Sequence, residues 1–353
     1  AVGYLAGTAV TTGVRNTFVG ANAGDALTQG AQNVGVGREA LGADTLGSNS
    51  VAVGNSALRV QNLTTATDVY NVAVGDQAGI AVTTGINNVL VGGLAGDAIT
   101  DADFNVAVGT YALSSNVLGS QSTALGHAAL FTQNPTTATN MYNVAIGANA
   151  GNAITTGVDN TIMGSLAGDA LTEGGSNVAI GFSAMSAQTT ASENVAVGRD
   201  ALVSNLTGTG LTAIGHAALT ASTGNNNTAL GNRSGTSVTS GADNTFVGKN
   251  AGASINTASS NVAVGIYALD GDTKGSKSVA IGEGALGGQN FTTATSSQNT
   301  AVGYHAGVSV TTGIENVLIG NQAGDALTDA DHNVAVGYAS LSTDTLGSQS
   351  TAI

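Results

Sequence analysis

Four histidines and a recurring aspartate are the residues of this chain best suited to chemistry. His127, His216, His305 and His332 could ligate a metal or move a proton near neutral pH. Asp25, Asp97, Asp169 and Asp325 return in the phrase GDALT or GDAIT, where carboxylates could hold a hard cation. Neither set has the spacing of a site. His127 and His216 share the phrase GHAAL but stand far apart, so histidines could converge only where three copies of one meet on an axis. They read as solvent-facing or packing residues. Calcium-binding rolls carry GGxGxD in adjacent turns, and that phrase is absent here. The aspartates therefore read as turn formers. The pairs Asp101 with Asp103 and Asp329 with Asp331 are the best places to seek a cation. No GxSxG elbow, phosphate loop or HExxH occurs. A repetitive chain also lacks the unique local constellation that an active site needs. The expectation is a protein that is not an enzyme, with no catalytic residue, no metal and no cofactor.

What repeats is a phrase of burial and turning. The glycine that ends each VAVG-like run returns at Gly3, Gly20, Gly37, Gly54, Gly75 and onward to Gly337. Fifteen of its nineteen spacings are the 17 that separates Asn71 from Asn88. Three spacings are 21 and one is 16. Counting Asn71 as position 1, the unit reads Asn, β-branched, Ala, β-branched, Gly. Frequent Gly, Val and Thr disfavour helix, and a unit this short cannot hold strand–helix–strand. It suffices for a coil of two short strands and two turns. Stacked coils make a parallel β-solenoid, here a rod of roughly 95 Å at ~4.8 Å per coil. The position-5 Gly suits a corner with φ > 0, and the position-1 Asn side chains could bond along the axis as an amide ladder.

A slower rhythm overlies the first. Position 9 runs Gly24, Leu41, Leu58, Gly79, Gly96, Leu113, Leu130, so four coils form a larger unit. Insertions of four residues near 61–70, 132–142 and 289–298 lengthen a fourth coil each time. The regularity leaves residues 1–353 as a single repeat domain. Because AVGYLAG and STAI both fall inside the phrase, the chain reads as a segment of a longer fibre.

If positions 2 and 4 fill the interior, position 3 points outward. Its largest members, Phe18, Leu90, Ile162, Phe246 and Leu318, would form an apolar stripe that another chain must cover. They are the candidate contacts of a homotrimer. The inserted loops are the least repetitive exposed elements, where recognition usually lives. Candidate receptor contacts are Thr64, Thr65, Thr67 and Tyr70, then Thr136, Thr137, Thr139 and Tyr142, then Phe291, Thr292, Thr293 and Thr295. Tolerated bulges are the alternative reading of all three.

Composition narrows the partners. The 22 acidic against 8 basic residues give a net charge of −14, which repels nucleic acid and anionic membrane. No run nears the ~18 apolar residues of a membrane helix, so no membrane insertion is expected from this segment.

The phrases NVAVGDQAG, NTAVGYHAG, NVAIGANAG and SVAIGEGAL resemble the head repeats of trimeric autotransporter adhesins of the YadA type. They are similar also to the NTAVG-type arrays of phage tail fibres. The resemblance implies an all-β, left-handed parallel β-roll in three identical copies, with ligands along the outside. It implies an extracellular fibre, on a cell surface or virion tail, that attaches to surface glycans or proteins. A purely structural shaft or filament is the alternative.

Overall fold

The computed structural model describes residues 1–353. It contains no helix, and its regular elements are short strands. The chain divides into two compact units, Ala1–Asn177 and Val178–Ile353, both built from the same coil. In the first, three-residue strands recur from Thr17–Val19 through Val72–Val74 and Val89–Val91 to Thr161–Met163. In the second they run from Val178–Ile180 through Thr245–Val247 to the short Thr351–Ala352. Within each unit neighbouring strands pair in parallel one coil on, as Val72 with Val89 and Val262 with Val279. The register survives the lengthened and shortened coils: Val51 pairs with Val72, and Thr212 with Thr228. The result is a parallel β-solenoid with about twenty turns, one for each return of the phrase.

Most coils hold one strand, where two were expected. A second strand forms only beside the insertions, as Gly47–Ser48 on Thr67–Asp68, Gly119–Ser120 on Thr139–Asn140, and Gly275–Ser276 on Thr295–Ser296. Elsewhere the far side is a chain of tight turns that alternates its hydrogen bonds. The amides of Ala78, Ile80 and Val82 donate within the coil, to Gly75, Gln77 and Gly79, while those of Gly79 and Ala81 donate to the next coil, to Ala95 and Asp97. Positions 7, 9 and 17 make these turns in the left-handed region, as Gln77, Leu58 and Asn87 do at φ 56, 48 and 57. Position 5 takes φ near 137 at Gly20 and Gly37, and a Cβ there would overlap the next coil's glycine carbonyl.

The two sides of the strand are reversed from the sequence reading. Position 3 is interior and positions 2 and 4 are half-exposed. Phe18, Leu90, Ile162, Phe246 and Leu318 are all buried inside their own chain. They are core residues and not trimer contacts. The reason is width: the coil is so thin that most interior places admit only Ala, at positions 3 and 8. Where position 3 enlarges, position 9 shrinks. A Cβ on Gly79 or Gly96 would press on the Leu90 side chain at 2.7 Å, and one on Gly235 would meet the Phe246 ring at 2.8 Å. Away from these bulky residues, coils with Ala52, Ala107 or Ala124 at position 3 carry Leu58, Leu113 or Leu130 at position 9, all buried. The four-coil rhythm is thus an exchange of volume between two interior positions.

A buried amide ladder runs beside this core. Asn71 donates from Nδ2 to the Gly85 carbonyl at 2.7 Å and accepts on Oδ1 from the Asn88 amide at 2.8 Å. Asn88 repeats both bonds one coil on, to Ala102 and from Asn105. In the lengthened coils Ser replaces Asn at the start, and a glutamine bridges the gap. Gln61 donates to Ser50 Oγ at 3.1 Å and accepts from Asn71 Nδ2 at 3.0 Å. Gln133 and Gln289 accept from Asn143 and Asn299 in the same way.

Asp44 sits in this polar interior, accepting from the Gly47 amide at 2.9 Å and from Gln61 Nε2 at 2.7 Å. Burial pushes its carboxyl above the ordinary value, although both hydrogen bonds pull the other way. A carboxyl raised by folding is stabilising only when protonated, so its contribution is lost as pH rises from the ordinary carboxylate range through the raised value. Asn116 occupies the same place four coils on and accepts from the Gly119 amide at 2.9 Å. Asp44→Asn should therefore raise the melting temperature at pH 7 more than at pH 4. A gain that does not depend on pH would show that burial of the charge is not the cause.

Candidate binding surfaces

The insertions leave most of their threonines exposed, but these side chains are partly self-satisfied. Thr67 Oγ1 donates to the Thr65 carbonyl at 3.1 Å, Thr139 Oγ1 to Thr137 at 2.9 Å, and Thr295 Oγ1 to Thr293 at 3.1 Å. Thr64, Thr65, Thr136, Thr137, Thr292 and Thr293 are exposed, while Thr67, Thr139 and Thr295 are half-buried. Tyr70 and Tyr142 stand out at 53% and 52% exposure. Phe291 does not: at 5% exposure it anchors its loop from within, as Leu63 does in the first loop. It is a folding residue and not a receptor contact.

The exposed apolar surface lies on the strands' outer side. Positions 2 and 4 carry only Val, Ile, Leu, Met and Thr, and no charge stands at either position in any strand. Leu125 and Met163 in the first unit, and Leu230 and Ile319 in the second, are among the exposed large apolar residues. Sequence reasoning placed this stripe on the wrong side of the same strands.

The titratable residues do not assemble into a centre. No group of three or more His, Asp and Glu could hold a metal ion. Asp103 and Asp331 accept from the Ile86 and Ile314 amides at 2.7 and 2.8 Å, bonds that join neighbouring coils. Asp101 and Asp329 accept from the preceding threonine hydroxyls. His332 lies 3.2 Å from Glu315, and His216 lies 4.0 Å from Asp200. His305 stacks on Tyr304 with ring centroids 3.9 Å apart. His127 instead meets Tyr111 edge to face, beside Phe131, a cluster that no sequence motif announced. Its members are brought together by the stacking of coils.

No helix is long and apolar enough to cross a membrane. No protein-family model matches the chain, and no curated protein matches it.

Proposed function

We propose that the chain is an extracellular fibre segment that mediates attachment, as in a trimeric surface adhesin or a phage tail fibre. In this reading three left-handed rolls pack through their strand faces, and the loops meet surface glycans or proteins. The observation that carries it is the outer sheet face. A chain with net charge −14 repels its own copies, yet positions 2 and 4 form a face without charge. Identical chains can approach there and cover apolar surface that would otherwise stay wet. Exposed Tyr70 and Tyr142 beside hydroxyl-rich loops favour recognition over a bare shaft.

The native mass should be about three times 34.1 kDa. Val74→Lys with Val91→Lys, two half-exposed neighbours on adjacent coils, should shift it toward the monomer without unfolding the coil. A wild-type monomer at micromolar concentration would refute the assembly. Replacing all three insertions with coil sequence of ordinary length should reduce cell attachment at least tenfold. Unchanged attachment would leave the shaft reading in place.

A further inference from the structure

The first unit carries one surface feature that the repeat does not explain. Tyr111 stands edge to face with His127, centroids 6.2 Å apart and planes at 89°, and with Phe131, 6.2 Å apart at 80°. With Ala128 and Asn152 they line an open cleft of about 330 Å³. Three successive coils contribute to it. Asn152 is pinned by a bond from Nδ2 to the Ala128 carbonyl at 3.1 Å.

The same place four coils earlier shows that the fold does not require these rings. There Glu39, Asn55, Ser56, Arg59 and Ile80 stand for Tyr111, His127, Ala128, Phe131 and Asn152. Glu39 has φ 58 and Tyr111 has φ 62, and the carbonyls of Arg59 and Phe131 accept the same inter-coil bond, at 2.9 and 3.0 Å. The earlier surface is held by ion pairs from Glu39 to Arg38 and Arg59. One backbone thus presents two unrelated surfaces, so the rings are free of a folding duty.

We infer that this cleft binds a neutral sugar, one or two pyranose rings in size, through C–H contacts with the aromatic faces. An aromatic ring is negative on its face, and the C–H hydrogens on one side of a pyranose are weakly positive. The Tyr111 hydroxyl, the His127 ring nitrogens and the Asn152 amide supply hydrogen bonds for the sugar hydroxyls. No Lys or Arg lines the cleft, and the chain's net charge of −14 disfavours anionic sugars. No carboxylate lines it either, so a cationic ligand would lack a counter-charge. Its size is at the lower end of small-molecule sites. The inference rests on the attachment reading but uses a surface separate from the threonine loops.

The test is saturation-transfer NMR on the full chain. The probes are the methyl glycosides of glucose, galactose, mannose and N-acetylglucosamine, with the methyl glycoside of sialic acid and choline alongside. Transfer to the ring C–H protons of at least one neutral glycoside is expected. It should fall at least tenfold in the variant Tyr111→Glu, His127→Asn, Phe131→Arg, which rebuilds a surface already folded on the same backbone. The reciprocal variant Glu39→Tyr, Asn55→His, Arg59→Phe, Ile80→Asn should double the number of sites per chain. No transfer from any neutral glycoside, transfer unchanged in the first variant, or transfer to choline or the sialoside alone would each overturn the inference. Attachment that depends on the threonine loops would survive any of those results, which separates the two failures.

Discussion

Gly252→Leu should destabilise the chain by about 3 kcal/mol through overpacking. Phe246→Ala should cost about 3–5 kcal/mol through the cavity it leaves. Together they should lose about 3 kcal/mol less than the sum. The argument rests on the exchange of volume between positions 3 and 9. A Cβ on Gly252 would overlap the Phe246 ring, and Phe246 is fully buried. The double variant recreates the arrangement of the following coil, where Ala263 at position 3 accompanies Leu269 at position 9. Leu269 shows that a leucine tolerates this turn, since it has φ 51 against 58 for Gly252. Urea unfolding followed by circular dichroism reads all four corners of the cycle. Simple additivity would mean that the two positions do not share one interior space.

The second large effect concerns the ladder. Asn71→Leu should cost at least about 3 kcal/mol, although it makes a buried position more apolar. It strands the Asn88 amide, the Gly85 carbonyl and Gln61 Oε1, the three groups that Asn71 satisfies. A buried polar group without a partner costs about 1–3 kcal/mol. Leu211 is the natural counterpart. It opens the one shortened coil, where Asn227 reaches back to the Gly224 carbonyl at 3.1 Å and to Ser222 Oγ at 3.2 Å. Leu211→Asn should stabilise by only about 1 kcal/mol, because the Gly224 carbonyl and Ser222 Oγ already have partners and only the Asn227 amide, the counterpart of the Asn88 amide, is left to gain one. Equal effects at the two positions would show that the amide bonds are not what the asparagine supplies.

The coil itself was legible because its signal is positional. One glycine per coil, asparagine four places before it and a β-branched pair between them specify the stacking, the corner and the ladder. Which side of the strand is buried was not legible, because the usual rule fails in so thin an interior. The larger residues Val72 and Val74 face out while Ala73 faces in. The needed clue was the coupling of sizes at two positions. Gly35 replaces the usual Ala one coil after Phe18, and a Cβ there would stand 2.9 Å from that ring. Bulk at position 3 and glycine around it belong together only if both are inside. Phe291 misled for a related reason: it lies in an insertion, yet a loop also needs a residue to hold it down. The Tyr111 cleft shows in sequence only as a departure from the four-coil rhythm, because its rings come from different coils.

The turns carry a consequence for how such a chain forms. Residues such as Leu58, Gln77 and Tyr111 are held in a left-handed backbone conformation that costs an ordinary side chain about 1–2 kcal/mol. A lone coil cannot recover that from its own few contacts. The inter-coil amide bonds recover it only once a neighbour is in place. The first pair of coils is then a slow nucleus, and every later coil adds to a finished edge. Refolding should show a lag followed by rapid growth, and loss of structure should begin at exposed edges and advance coil by coil.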